Sequence, residues 1–318
     1  MKKEKTPEVA KETEVQSNYP HEALQKIEDA RSVFLKSYKV HNNIKLIILV
    51  LCMAAIIVAF IVVPTLTKDL PSGVSTGLMI GIAIVALGGT YGYSLYVRKK
   101  FDRKMREYFD LYFNSCNDYV FGEKPFSDAA LQVPGKISLD EFTECGLYKD
   151  VIETGSRGLT FFKYNNLEMS IVDCAGNIKA EKRIKPVFVG KMLRATAKYD
   201  GEYPVFVYLK GNDRALPPTN MDGIEQVLDD ETMTIYSNYK DWQKVLNSNV
   251  MKAIKAIKTE NILVDVAFSI GKGKVFVMLG YDDPLMVLPL QQPFNYKPTE
   301  KYKENMSVVC KVVEALNK

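Results

Sequence analysis

Two long apolar segments dominate the pattern of hydrophobic and polar positions along the chain. The first covers residues 44–63, with Lys45 as its one charged residue, and the second covers residues 78–97 with no charge. A hydrocarbon core of roughly 30 Å needs about 20 apolar residues of helix, because lipid offers no partner to an unpaired backbone group. The pattern therefore predicts a transmembrane hairpin over residues 44–97 with two spans.

Lys and Arg residues cluster on one side of this predicted hairpin. Lys36, Lys39 and Lys45 lie close to the start of the first span, whereas the loop between the spans holds Lys68 offset by Asp69. The cations that directly follow the second span are Arg98, Lys99, Lys100, Arg103, Lys104 and Arg106. Because positive residues stay in the cytoplasm, a two-pass protein with cytoplasmic N- and C-termini is expected. The same six cations fit either a plain topology determinant or contact with lipid headgroups, at about 1 kcal/mol each near an anionic leaflet.

Small residues recur at a spacing of four within the spans. The three pairs are Gly77 with Gly81, Gly88 with Gly92, and Ala55 with Ala59. Such pairs allow helices to approach closely, so packing between the two spans is the first interpretation and a homo-oligomer is the alternative. Neither span carries Asp, Glu, Lys, Arg or His deep within it, which favours anchors over a transport path.

The segments around the spans have helical patterns, except for the first one. Residues 1–20 are rich in Lys and Glu and predict a disordered tail. Residues 21–43 place apolar side chains three and four positions apart, which predicts an amphipathic cytosolic helix. Residues 98–124 continue the same spacing and predict a basic juxtamembrane helical stalk.

Residues 125–318 predict a cytosolic globular domain of the α+β class, rich in antiparallel strands. Residues 125–134 read as a linker, and Ser138 with Glu141 forms a capping box for a short helix. Hairpins are expected across Asn165-Asn166, across Asp200-Gly201 between residues 188–198 and 203–209, and between residues 262–270 and 274–279. Helices are expected over residues 224–228, 241–258 and 299–316. A fragment that begins at Phe121 is accordingly expected to fold alone.

Charge balance argues against nucleic acid as a partner. The net charge is +4, with sixteen Lys or Arg against twelve Asp or Glu up to Val120 and twenty-six against twenty-six from Phe121 onward. The whole excess thus flanks the spans. Nucleic-acid binding needs a clustered basic footprint on the globular domain itself.

Candidate chemistry is sparse in the globular half. Histidine occurs only at His21 and His41, and the five cysteines form no Cys-x-x-Cys pair. Histidine-based catalysis, a zinc site and a disulfide framework are therefore not expected. The glycines at 271 and 273 lack phosphate-loop spacing, and the acidic cluster at 229–231 lacks the ligand spacing of a calcium loop. No catalytic, cofactor-binding or metal residue is assigned, and no cofactor is expected.

Several short motifs resemble an uncharacterised family of bacterial membrane proteins, a domain of unknown function with two transmembrane helices and a C-terminal cytosolic α+β domain. The motifs are Phe188-Val-Gly190, Thr234-Ile-Tyr-Ser237 ahead of Trp242, Val266-Ala-Phe-Ser269 and Lys274-Val-Phe-Val277. The resemblance implies a location in the bacterial inner (plasma) membrane, and it brings no catalytic residues with it.

The combined pattern favours a bacterial integral inner-membrane protein that presents a non-catalytic cytosolic domain to a partner or ligand. Membrane lipid and an unidentified protein are the expected partners. Two alternatives remain open at this stage. One is a membrane-anchored enzyme acting on a lipid or nucleotide through carboxylates and lysines. The other is an accessory subunit of a transport or envelope-stress complex.

Overall fold

The computed structural model describes residues 20–68, 71–181, 183–211, 216–259, 263–281 and 290–318. The predicted tail, apart from Pro20, lies outside them. The described helices are α1 (His21–Leu66), α2 (Ser72–Phe121), α3 (Leu139–Thr143), α4 (Trp242–Val245), α5 (Ser248–Lys255) and α6 (Lys297–Leu316). The described strands are β1 (Phe126–Gln132), β2 (Val151–Tyr164), β3 (Leu167–Ala180), β4 (Arg183–Thr196), β5 (Val205–Leu209), β6 (Gln226–Asp229), β7 (Met233–Ser237), β8 (Leu263–Gly271) and β9 (Lys274–Tyr281).

Two very long helices open the described chain. α1 has 46 residues and α2 has 50, and each contains a window long and apolar enough to cross a membrane. Almost none of either window is buried, so the two apolar windows lie outside the core of this domain. The predicted cytosolic helix and first span are thus one uninterrupted helix, as are the second span and the segment that follows it.

The two long helices pack against each other in antiparallel fashion. Within the spans, the Thr90 hydroxyl lies 3.1 Å from the Cys52 sulfur. Beyond the spans, Lys104 Nζ donates to Ser37 Oγ at 3.2 Å. The rings of Phe34 and Phe101 meet edge to face, with centroids 5.0 Å apart. Contact therefore continues from the apolar segments into the polar ones.

All nine described strands form one antiparallel sheet in the order β1-β2-β3-β4-β9-β8-β5-β7-β6. The predicted hairpin of β8 and β9 is confirmed, with Gly271 opposite Lys274. The predicted hairpin across Asp200-Gly201 is wrong, because β4 pairs with β9 and β5 pairs with β8. The β8–β9 hairpin thus lies between two strands that are neighbours in sequence.

The two faces of the sheet carry different layers. The first face packs against α1, α2, α5 and α6, and its apolar cluster contains most of the buried side chains. The second face carries α3 and the connections around Leu147 and Met221, in a smaller cluster. Gly176 lets α3 approach the sheet, since a Cβ there would lie 2.5 Å from the Phe142 ring. Helices beside an antiparallel sheet confirm the α+β class.

Local capping explains where the shorter helices begin. α3 starts with the predicted capping box, in which Ser138 Oγ accepts from the Glu141 amide and Glu141 accepts from the Ser138 amide. The helix predicted over residues 241–258 is instead divided into α4 and α5. The Asn247 side chain accepts from the amides of Asn249 and Val250 and so starts a new helix.

Two further predictions are corrected by the sheet. Residues 126–132, within the predicted linker, form β1 and pair with β2. Residues 226–229, within the predicted helical piece, form β6 and pair with β7. Both strands are edge strands, where pairing depends on a distant partner and leaves only a weak pattern in the local sequence.

The core crosses the boundary that the sequence predicts near residue 125. The upstream side chains in the first-face cluster are Ile27, Phe34, Tyr108, Tyr112, Phe113, Cys116, Val120 and Phe121. Phe121 stacks on Phe162 of β2 with a centroid distance of 4.6 Å. The predicted stalk is therefore part of the domain, and a fragment that begins at Phe121 loses much of one core face.

Replacing Phe113 with alanine tests this shared core. Phe113 is 1% exposed, so Phe113→Ala should lower the free energy of unfolding by about 3–5 kcal/mol through lost burial and a cavity. Phe60→Ala is the matched control, because Phe60 is 59% exposed on the first apolar segment. Denaturant unfolding of the full chain in detergent measures both. Equal effects would contradict the shared core.

Candidate functional site

Cations from both long helices meet at one level. The contact between Ser37 and Lys104, and the 6.0 Å ring contact between His41 and Phe101, place residues 36–45 of α1 beside residues 98–106 of α2. The resulting basic collar consists of Lys36, Lys39, Lys45, Arg98, Lys99, Lys100, Arg103, Lys104 and Arg106. The three α1 cations thereby join the six that the sequence assigns to this site.

The basic collar is exposed and lightly neutralised. All of its members are exposed except Lys104, which is half-buried against α1. Arg103 Nε lies 3.7 Å from Glu107 Oε1, and among the described residues no other ion pair involves the collar. The basic collar is therefore a cluster of largely unpaired cations beside the two apolar segments.

The predicted small-residue pairs divide between two environments. A Cβ added at Gly77, Gly81, Gly88 or Gly92 would meet nothing within 4 Å, so these four glycines do not lie where α1 and α2 touch. Ala59 is buried, whereas Ala55 is exposed. Ala55 and Gly81 instead line an apolar groove of about 580 Å³ between the spans.

An open cavity of about 710 Å³ lies where the ends of α1, α2 and α6 meet. Asp118, Glu123, Glu300 and Glu304 line it, together with Lys303. Lys303 Nζ donates to Glu123 Oε2 at 3.1 Å and lies 4.4 Å from the centre of the Tyr119 ring. None of the four carboxylates is buried, so this cavity is a hydrated groove rather than an enclosed acid–base site.

A charged pair is buried beneath α6 on the first face of the sheet. Lys191 of β4 is 3% exposed, and its Nζ lies 2.5 Å from Asp173 Oδ1 on β3. The same Nζ is 4.6 Å from the centre of the Tyr302 ring, and burial raises the pKa of Tyr302. A buried pair of this kind has a desolvation cost close to its Coulombic gain. It links β3, β4 and α6, and the layer above it bars a substrate from Lys191.

The second face holds a buried carboxyl without a partner. Asp265 of β8 is 1% exposed, and within the described chain neither of its oxygens has a hydrogen-bond partner. Burial raises the pKa of Asp265 to about 7, and the nearby backbone amide of Val266, which does not reach hydrogen-bond geometry, acts in the opposite direction. The Tyr148 hydroxyl is likewise buried and unpartnered, and burial, followed by the charge of Asp265, raises the pKa of Tyr148. Asp265 also raises the pKa of Tyr208, after the larger effect of burial.

Sequence reasoning assigns no role to Asp173, Lys191 or Asp265. Each lies on a β strand where a charged residue is normally solvated, and only the strand order reveals that both faces are covered. The one available signal is Asp265 within the apolar run 263–268. Among the described residues, no group of three His, Cys, Asp or Glu side chains is arranged to hold a metal ion.

The raised pKa of Asp265 predicts how the stability of the fold depends on pH. Because its pKa is raised on folding, the folded state keeps a proton that the unfolded state has released between about pH 4 and pH 7. Stability should therefore fall as pH rises through this window, by about 4 kcal/mol in total for this group. Asp265→Asn should remove that decline in thermal unfolding of the full chain in detergent. Tyr148→Phe, which keeps the carboxyl, should retain it, and an unchanged profile for Asp265→Asn would refute the assignment.

Comparison with known proteins gives little to transfer. No protein-family model matches the chain, and no curated protein matches it either, so the family resemblance seen in the sequence stays a prediction. One solved chain that aligns with it is described as the crystal structure of the mycobacterial trehalose monomycolate transport factor A, TtfA. The identity is 12% and the TM-score is 0.33, over 52% of this chain and 75% of that chain. Similarity at that level supports no inference about the fold or the function of this chain.

Proposed function

We propose that this chain is a two-pass protein of the bacterial inner membrane, with both termini in the cytoplasm, which presents a non-catalytic α+β domain to a protein partner at the membrane surface. One observation carries the proposal: the helices that contain the apolar spans also supply eight buried side chains to the core of the domain. An anchor that is itself part of the core holds the domain close to the bilayer.

The length of α2 supports a fixed placement. Its 50 residues extend about 75 Å at 1.5 Å per residue, of which roughly 30 Å is needed to cross the hydrocarbon core. The remainder passes through the basic collar and ends at Phe121, inside the sheet domain. With no break in α2, the distance of the domain from the bilayer is set by the helix.

The basic collar supports the orientation. Nine cations against two carboxylates, Asp102 and Glu107, lie on one side of the spans, and cytoplasmic loops carry such an excess. In this orientation the collar meets the anionic cytoplasmic leaflet, which makes membrane lipid a second partner.

A catalytic role has weaker support than binding. Among the described residues, Lys191 and Asp265 are the buried ionisable groups considered as candidates for acid–base chemistry, and both lie beneath other elements of the domain. The open cavity between α1, α2 and α6 exposes its carboxylates to water, which leaves them without the enclosure that tunes acid–base groups. A surface held near the membrane fits recognition of a partner better than turnover of a substrate.

Cysteine labelling of intact cells tests the topology. Ser72→Cys, at the start of α2 between the spans, should react with an impermeant thiol reagent added outside. Tyr203→Cys, at an exposed position of the globular domain, should react only after the cells are opened. The unsubstituted chain gives the background from Cys52. Reaction of Tyr203→Cys in intact cells would overturn the orientation.

Photocrosslinking in native membranes tests the binding role. A photoreactive residue at an exposed domain position, such as Tyr203 or Phe161, should give a discrete adduct with one recurrent protein. The same residue at Phe60, which faces outward from a span, is the control for random membrane neighbours. Domain adducts no more selective than those from Phe60 would argue against a dedicated partner.

A further inference from the structure

Strands β2, β3 and β4 extend beyond the core at one end of the sheet. The first four residues of β4, from Arg183 to Pro186, are exposed, whereas Val187 and Phe188 are buried. The facing ends of β2 and β3 are mostly exposed or half-buried as well. This three-stranded projection, residues 151–153, 177–180 and 183–186, is called the β arm below.

The β arm combines exposed isoleucines with cations. Ile184 is 57% exposed and Ile152 is 47% exposed. Across the β3–β4 turn, residues 179–185 contain four Lys or Arg and one Glu. In the described part of the arm no ion pair involves Lys179 or Arg183. The carboxyl group of Glu153 on β2 accepts a hydrogen bond from Asn177 at 3.1 Å.

The register assigns these side chains to a face. Ile178 packs with the second-face cluster and is paired with Lys185, and directly paired residues share a face. Their neighbours Lys179 and Ile184, also paired with each other, therefore point to the first face, which carries α1, α2 and α6. The arm thus presents an isoleucine and a lysine on the side where the long helices run.

α6 shows which way the sheet points relative to the membrane. Phe294, ahead of α6, packs on Tyr112 with centroids 5.3 Å apart, and Tyr302 packs on Phe121 at 6.1 Å. Between them, Thr299 Oγ1 lies 3.9 Å from the sulfur of Cys116. Residues later in α2 contact residues later in the α6 segment, so α6 runs beside α2 in the same direction. The start of α6 is consequently its end nearer to the spans.

β4 runs beside α6 in that same direction. Lys191 lies under the Tyr302 ring near the start of α6, and Asn317 at its end donates to the Thr196 carbonyl at 2.9 Å. Arg183 precedes Lys191 by eight residues, which corresponds to roughly 26 Å of strand. An equal distance back from Phe121 along α2 is about 17 helical residues. The tip of the β arm therefore reaches the level of Lys104, within the basic collar.

We propose that the β arm is a second membrane contact, in which Ile152 and Ile184 enter the headgroup layer while Lys179 and Arg183 meet anionic lipid. The proposal rests on the cytoplasmic placement given under the proposed function. Exposed isoleucines lose water on entering the interface, and cations near an anionic surface add about 1 kcal/mol each. The collar and the arm then contact the same leaflet at two separate points, which fixes the tilt of the sheet.

Fluorescence quenching in vesicles tests the contact. The full chain with Ile184→Cys carries an environment-sensitive fluorophore and is reconstituted in vesicles of phosphatidylcholine and phosphatidylglycerol that contain brominated lipid. Its emission should shift to the blue and be quenched. Tyr203→Cys is the matched control, since Tyr203 is 58% exposed but lies by the opposite end of the sheet, next to the β8–β9 turn. Its label should show neither effect.

Charge is tested separately from insertion. Adding Lys179→Gln and Arg183→Gln to the labelled Ile184→Cys chain should reduce the blue shift and the quenching, as should vesicles of phosphatidylcholine alone. If cysteine labelling from outside shows the proposed topology but the label at Ile184 is not quenched, the membrane contact of the β arm is overturned and the topology stands. Outside reactivity of Tyr203→Cys refutes the topology itself. If the label at Ile184 is shielded from water in native membranes but not in vesicles, the β arm contacts a protein instead of lipid, and the lipid contact is overturned.

Discussion

The structure depends on the burial of the polar-flanked halves of α1 and α2, outside their apolar segments, in the core of the sheet domain. Ile27 and Phe34 of α1, together with Tyr112 and Phe113 of α2, belong to the apolar cluster that also contains the first-face side chains of the strands. Each such side chain contributes about 1.5–3 kcal/mol when removed from water. Because the same helices carry the spans, the domain has no independent fold to which a membrane anchor is simply attached.

Each face of the sheet buries an ionisable side chain, and the two side chains differ in whether they have a partner. On the first face, Lys191 has Asp173 and the Tyr302 ring as partners, so its charge is compensated beneath α6. On the second face, Asp265 has no partner in the described structure, and its carboxyl stays protonated until near neutral pH because ionisation would leave a bare charge in an apolar layer. The first arrangement ties three elements together. The second makes the stability of the second-face layer depend on the protonation of Asp265.

Features set by neighbouring residues follow from the sequence, and features set by distant partners do not. The two long apolar helices, the capping box at Ser138 and the β8–β9 turn each depend on residues within a few positions, and each is predicted correctly. The pairing of β4 with β9 joins residues far apart in the chain, and no local pattern specifies it. The stripe on residues 98–124 indicates one buried helix face without showing what buries it. Likewise, six of the nine collar cations lie together on α2, whereas the three cations of α1 join them through antiparallel packing.

Rigid coupling changes what weak surface contacts can achieve. A single cation near an anionic leaflet adds about 1 kcal/mol, which is too little to orient a domain on a flexible tether. When α1 and α2 already fix the distance of the domain from the bilayer, a second contact costs almost no further translational entropy. Its small free energy can then restrict the tilt of the sheet relative to the bilayer. The collar lies on α1 and α2, whereas the β arm is formed by β2, β3 and β4. Tyr302 of α6 connects the two, because its ring contacts Phe121 of α2 and Lys191 of β4. A force on either contact is therefore transmitted through the packed core to the whole sheet, including the surfaces that a protein partner would meet.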